Sequence, residues 1–255
     1  MRKIIIANWK MNLTPAQSAD LAVELKKKLG KENNNEVVIC PSFTALSTVA
    51  EKIKKSNIIL GSQNVSWLAK GAFTGEESVG NIKELGCKYA IIGHSERRQN
   101  LGETDEMVNK KISICLEQGI TPIFCIGETL QEKQEGTSDH KLYTQIKEGL
   151  KKIDLLPHEN LVVAYEPIWA ISAVRAVTPH DVEPEEAEKV FKFIYQNLVD
   201  LWPLTIVNNN VRIIYGGSVD ENNSKDFSQI EMIKGFLVGG ASLDTDKFSQ
   251  ITKNI

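Results

Sequence analysis

Eight short runs dominated by apolar residues recur along this chain, and each is followed by a stretch of helical periodicity. The runs fall at residues 4–7, 37–40, 58–60, 89–92, 120–125, 161–165, 211–215 and 235–238. A strand with one wet face alternates apolar and polar side chains. These runs do not alternate, which is the pattern of a parallel sheet covered on both faces. The segments between them are amphipathic. The first has Thr14 as N-cap, Pro15 at the first helical position and Gln17 closing a capping box. Leu21, Leu25 and Leu29 follow at four-residue spacing, and Gly30 is a natural stop. Further helices are expected over residues 43–55, 76–85, 104–118, 138–153, 184–201, 221–230 and 244–255. Eight strand–helix units in 255 residues, with no long linker, favour the α/β class and a single closed (β/α)8 barrel domain over residues 1–255, built on a parallel eight-stranded sheet. A doubly wound open sheet has the same periodicity. The first run lacks the G-x-G-x-x-G that a dinucleotide fold would place after it.

Composition narrows the partners. Charged residues make up 25% of the chain, are interspersed and sum to −3, so no nucleic-acid surface is expected. The N-terminus MRKIIIANWK has four apolar residues before Asn8, too few for a secretory signal, and no apolar stretch reaches membrane-spanning length. Cys40, Cys87, Cys115 and Cys125 share no C-x-x-C spacing and suggest reduced thiols in a cytoplasmic protein. No metal-ligand cluster and no nucleophile–base pair stands out, so neither cofactor nor metal is expected.

In a parallel barrel the residues that close the strands collect at one mouth. Here they are Asn8, Trp9 and Lys10 after the first run, His94, Ser95 and Glu96 after the fourth, and Glu166 after the sixth. Gly216, Gly217 and Ser218 close the seventh, and Gly239 and Gly240 the eighth. Pro167 cannot donate to a ladder, so regular pairing should stop at Glu166. By itself such a carboxylate could be a catalyst or half of a buried ion pair. Beside an imidazole and an ammonium at the same mouth, it reads as a catalyst. The glycine pairs admit two readings, a cradle of backbone amides for phosphate or tight turns that need positive φ. A carboxylate can take a proton from carbon beside a carbonyl, while an imidazole polarises that carbonyl and a lysine offsets the developing oxyanion. The chemistry expected is cofactor-free proton transfer on a small phosphorylated carbonyl compound.

The residues carry a resemblance over nearly the whole chain. The segments are ANWKMN at 7–12, GSQNVS at 61–66, GAFTGE at 71–76, IIGHSERR at 91–98 and GETDE at 102–106. CIGET at 125–129, AYEPIWAI at 164–171, YGGSV at 215–219 and GFLVGGASL at 235–243 complete the set. In this order they resemble the triosephosphate isomerase family. The resemblance implies a TIM barrel that interconverts dihydroxyacetone phosphate and glyceraldehyde 3-phosphate through an enediol(ate), in glycolysis and gluconeogenesis. It implies Glu166 as the base shuttling a proton between C1 and C2, and His94 as the neutral electrophile. Lys10 and Asn8 would support the substrate oxygens, with Glu96 a supporting polar group. Amides around Ser172, Ser218, Gly239 and Gly240 would grip the phosphate, and Ile171 and Leu237 would clamp the carboxylate and exclude water. Thr74, in the segment that resembles the family's interdigitating loop, would reach a second subunit and make a homodimer; the alternative for that segment is an ordinary turn about Gly71 and Gly75. Two other activities fit less well: a phosphate-binding barrel that has lost efficient catalysis, and a different barrel enzyme such as a sugar-phosphate epimerase.

The chain departs from the family after Ile171. The family's glycine-containing hinge is replaced by Ser172-Ala173-Val174-Arg175-Ala176-Val177, with no glycine. Both Thr178-Pro179 and Glu183-Pro184 are plausible openings for the next helix, so the length of this loop stays open. A hinge without glycine is expected to alter the rate or amplitude of closure.

Overall fold

The computed structural model describes residues 2–29, 35–171 and 182–255. Eight parallel strands close into a barrel in chain order: β1 (Ile4–Asn8), β2 (Glu36–Cys40), β3 (Ile58–Ser62), β4 (Tyr89–Ile92), β5 (Thr121–Ile126), β6 (Leu161–Tyr165), β7 (Val211–Tyr215) and β8 (Gly235–Val238). Ala7 lies opposite Val238, and this β1–β8 pairing shuts the cylinder. The stitching is uneven. Five register pairs join β6 to β7, but β7 and β8 share only Tyr215 opposite Phe236.

Parity explains why the strands read as unbroken apolar runs. Ile4, Ile6, Val38, Ile91, Ile123, Cys125, Val162, Ala164, Ile214 and Leu237 belong to one buried cluster that fills the barrel. Their neighbours in sequence, such as Ile5, Ala7, Ile39, Ile92, Phe124 and Val163, belong to the shell packed between barrel and helices. Both faces are dry, so both must be apolar. The same parity carries Asn8, Glu166 and Gly216 to the inner side, because each continues an inward series by two residues.

The floor of the barrel is polar. Glu36, Tyr89 and Arg212 stand on the inward parity of β2, β4 and β7 near their amino ends. Tyr89 donates to Glu36 Oε1, Arg212 Nη1 donates to Glu36 Oε2 at 2.7 Å, and Arg212 Nη2 donates to the Tyr89 hydroxyl at 2.8 Å. Burial alone would raise the Glu36 carboxyl. The hydrogen bonds from Tyr89 and Arg212 outweigh it and hold the group below its usual range.

Among the described residues the helices are α1 (Pro15–Leu29), α2 (Leu46–Ile53), α3 (Val79–Glu84), α4 (Ser95–Leu101), α5 (Asp105–Glu117), α6 (Leu130–Gln134), α7 (Ser138–Gly149), α8 (Pro184–Leu201), α9 (Leu204–Asn210), α10 (Ser224–Ser228) and α11 (Thr245–Asn254). The capping box of α1 is present: the Thr14 amide donates to Gln17 Oε1 at 3.0 Å, and the Gln17 amide to Thr14 Oγ1 at 3.3 Å. Several boundaries differ from expectation. α3 starts three residues late because the Ser78 hydroxyl caps it by accepting from the Asn81 amide. The expected helix 221–230 shrinks to α10, since Asp220 first accepts from the amides of Asn222 and Asn223 in a turn. Of the two candidate openings after the sixth strand, α8 uses Glu183-Pro184, with Pro184 at its first turn; Thr178-Pro179 lies outside the described residues. No described helix is long and apolar enough to cross a membrane.

Candidate active site

Three strand ends bring the reacting groups together. At the end of β6 the Glu166 amide donates to the Ile126 carbonyl at 2.7 Å, and Pro167 then takes the chain out of the sheet into a 3-10 turn, Ile168–Ala170. The carboxylate is therefore fixed from its backbone outward and is 1% exposed. Gly127 permits this. A Cβ there would stand 1.8 Å from the Glu166 carbonyl oxygen, and the buried Gln145 holds the Gly127 peptide from both sides, accepting at 2.9 Å and donating at 3.2 Å.

His94 is placed by a left-handed turn. Gly93, at φ 72°, swings the chain off β4, and His94 becomes the N-cap of α4. Its Nδ1 accepts from the Glu96 amide at 3.2 Å. An Nδ1 that accepts carries no proton, so the remaining hydrogen of a neutral ring sits on Nε2. That nitrogen lies 3.2 Å from Glu166 Oε1, and the Ser95 amide donates to Glu166 Oε2 at 3.1 Å. The Glu96 carboxylate comes no nearer than 3.7 Å to Nδ1, whose acceptor lobe is already filled. Its nearer contact is with Lys10, at 2.5 Å from Nζ. Of the two alternatives for Glu166, the ion pair with a lysine or arginine is not what surrounds it: this buried carboxylate meets the His94 imidazole and the Ser95 amide.

Lys10 sits in the left-handed region at φ 51°, a conformation that costs a β-carbon residue roughly 1–2 kcal/mol. Two bonds hold it there, and a third anchors the glutamine that makes one of them. The Lys10 amide donates to Asn8 Oδ1 at 3.1 Å, and Gln63 Nε2 donates to the carbonyls of Lys10 at 2.8 Å and Cys40 at 2.9 Å. The result is an ammonium that points across the mouth, 3.7 Å from where a Cβ on Gly239 would lie.

Asn8, Lys10, His94 and Glu166 line one cavity at the carboxyl ends of the strands. Ile171, Leu237, Gly239 and Gly240 line it too, together with Gly216, Gly217 and Val219. Ser218 lines the neighbouring cavity instead, where its carbonyl accepts from Asn223 Nδ2 at 2.9 Å. Thr74 lies on the exposed turn that joins β3 to α3, away from this cavity. Ser172 and the glycine-free segment after it lie outside the described residues.

The glycine pairs are not left-handed turns: none of the four has φ in that region. Gly216 and Gly217 are small because of packing. A Cβ would meet Glu166 Cγ at 3.0 Å in the first case and the Tyr215 hydroxyl at 2.3 Å in the second. Gly240 is different, since a Cβ there would meet nothing within 4 Å. It opens a 3-10 turn, Gly240–Leu243, and with Gly239 it lines the cavity. Among the described residues no helix N-terminus lies directly behind Gly216, Gly217 and Ser218, because α10 starts only at Ser224.

All four cysteines are buried, and burial pushes Cys87 and Cys115 up to about 12 and Cys40 and Cys125 well above the usual thiol value. None of them is poised as a nucleophile. Among the described residues no three histidines, cysteines or acidic groups are grouped to hold a metal ion. Gln63, Gly127, Gln145 and Val219 have no role readable in the sequence, although Gln63, Gly127 and Val219 lie within the GSQNVS, CIGET and YGGSV segments. The first three act on the backbone of Lys10 and Glu166 from distant positions, and only the CIGET segment carried any sign of Gly127.

Comparison with known proteins bears on this arrangement. A family model described as triosephosphate isomerase matches residues 3–255. The chain is 44% identical over 254 residues to the triosephosphate isomerase of Carboxydothermus hydrogenoformans, and 43% identical over 254 residues to that of Endomicrobium trichonymphae; each alignment covers 99% of both chains. It is 41% identical over 252 residues to the triosephosphate isomerase of Aquifex aeolicus, covering 98% of each.

Proposed function

Since this chain belongs to the triosephosphate isomerase family, we propose that it interconverts dihydroxyacetone phosphate and glyceraldehyde 3-phosphate by proton transfer between Glu166 and the two adjacent carbons. It is an enzyme of the isomerase class acting on a phosphorylated triose. The observation that carries the mechanism is the 3.2 Å approach of His94 Nε2 to Glu166 Oε1, with Nδ1 occupied by the Glu96 amide.

Nε2–H can serve one acceptor at a time. A substrate carbonyl entering the cavity takes that donor and leaves Glu166 as a carboxylate facing the neighbouring C–H. Glu166 removes this proton, the C–H electron pair becomes the C=C bond of an enediolate, and the carbonyl oxygen takes up the negative charge. His94 donates to that oxygen and moves a proton between the two oxygens, while the Lys10 ammonium offsets the charge. Glu166 then returns its proton to the other carbon. The amides about Gly239 and Gly240 hold the phosphate, with Ser218 supporting the loop beside them. Ile171 and Leu237 keep the carboxylate dry.

The same reading includes a cytoplasmic homodimer. Met11 is 95% exposed beside Lys10, and Phe73 is 42% exposed on the turn that carries Thr74, so these apolar side chains offer a rim to a second copy. A second copy covering this rim would bring Thr74 near the partner's Lys10.

A coupled assay with glyceraldehyde 3-phosphate on purified protein tests the activity, and Glu166→Ala tests the base. The variant is expected to lose at least about 10²–10⁴ in kcat while inorganic phosphate still binds. Near-parental turnover in Glu166→Ala removes the assigned role.

A further inference from the structure

One lysine outside the cavity joins the two chain segments that flank residues 172–181. Lys133, in the last turn of α6, places Nζ 3.4 Å from the centroid of the Trp169 ring. The same ammonium pairs with Glu186 Oε1 at 2.6 Å, in the first turn of α8. Trp169 belongs to the 3-10 turn that follows Glu166 and Pro167, and is 2% exposed. Its ring is held in its own plane by Nε1, which donates to Glu128 Oε1 at 2.8 Å; that oxygen also accepts from the Tyr165 hydroxyl at 3.0 Å. Hydrogen bonds at the ring edge do not resist tilting out of plane. The cation over the face does.

We infer that Lys133 is a positioning residue for the isomerase reaction: its ammonium seats the Trp169 indole, and through it holds the turn that runs from the base Glu166 to the cavity-lining Ile171. This rests on the reading of Glu166 as the base. An exposed lysine–glutamate pair contributes little to stability by itself. The lysine is one-third exposed and Glu186 somewhat more, so the pair alone gives no reason for a kinetic effect. A cation on the electron-rich face of a buried indole is a stronger and directional contact. The turn it steadies is five residues long from Pro167 to Ile171 and carries no other charged group.

The test compares Lys133→Met, which keeps the aliphatic stem, with Lys133→Arg, which keeps the charge over the ring, and with Glu186→Gln. Lys133→Met is expected to lower kcat by about fivefold to tenfold with KM changed less than about twofold, and Lys133→Arg to restore kcat to within about twofold. Glu186→Gln, which leaves the cation on the ring, should fall between parent and Lys133→Met. The emission of Trp169, obtained by subtracting the spectrum of Trp169→Phe, should shift in Lys133→Met and return in Lys133→Arg. A purely structural role predicts a lowered Tm with kcat per folded molecule intact, and that outcome overturns the inference. So does a Lys133→Arg variant as slow as Lys133→Met. If the parent protein itself shows no isomerase activity, the functional reading fails, and the Trp169 emission still decides whether Lys133 seats the ring.

Discussion

Gly127 lies directly against the backbone of Glu166: a single added methyl would stand 1.8 Å from the Glu166 carbonyl oxygen. The contact is between the ends of two adjacent strands, and backbone, unlike a flexible side chain, cannot yield cheaply. Position 127 thus sets where the carboxylate begins.

Gly127→Ala should therefore damage the base without touching it. Overpacking of this kind costs about 1–3 kcal/mol or more, and the strand end must shift to relieve it. Urea unfolding is expected to show that loss. Stopped assays normalised to folded protein should show kcat down more than about tenfold, because a misplacement near 1 Å is felt strongly in proton transfer. A folded Gly127→Ala enzyme with parental kcat would mean that Glu166 is placed by other contacts.

Gly240→Ala should behave in the opposite way. The residue begins a 3-10 turn with φ outside the left-handed region, and its would-be Cβ meets no protein atom. Stability should stay within about 0.5 kcal/mol of the parent. If the space belongs to the phosphate, KM should rise by about tenfold and inorganic phosphate should bind correspondingly less well in calorimetry. Unchanged KM would send the phosphate elsewhere in the cavity.

The polar floor gives a pH prediction with a definite sign. In the folded protein Glu36 is held below its usual range by Tyr89 and Arg212 against the pull of burial. A depressed carboxyl binds its proton less readily folded than unfolded. It contributes stability above the unfolded value and loses that contribution as pH falls through the folded one. The parent's Tm should fall on acidification through the carboxylate range, and Glu36→Gln should flatten that part of the curve. Arg212→Met, which leaves the half-buried carboxylate without its nearest cation, should cost about 1–3 kcal/mol near neutral pH. Both variants should keep parental kcat when assayed where they are folded, since the cluster sits at the amino ends of the strands.

Much of this was readable in the linear chain. Strands such as Leu161–Tyr165 and Tyr89–Ile92 were legible because a barrel dry on both faces forces continuous apolar runs. The meeting of Lys10, His94 and Glu166 was legible because a parallel barrel sends every strand's carboxyl end to one side. Short helices were not. Ser95–Leu101 and Leu130–Gln134 bury little or no apolar stripe and owe their existence to caps, at His94 for the first and a Thr129–Glu132 capping box for the second. The reason for Gly216 and Gly217 was also hidden, because the atoms they avoid belong to Glu166 and to the ring of Tyr215. Gln63 and Lys133 were illegible for the same reason: one serves a backbone 53 positions away, the other a ring on the far side of α7 in sequence.

The thin seam between β7 and β8 has a consequence for the order in which the barrel opens. A hoop sewn by five register pairs at one joint, and at another by Tyr215 opposite Phe236 and the Lys234 amide on the Ile213 carbonyl, is expected to exchange its amides soonest at the second. The loops that leave this joint are those carrying Gly216, Gly217, Gly239 and Gly240. If the phosphate is held beside Gly239 and Gly240 as proposed, its binding would fasten this seam from above, and substrate should raise protection at a joint the strands themselves leave only lightly fastened.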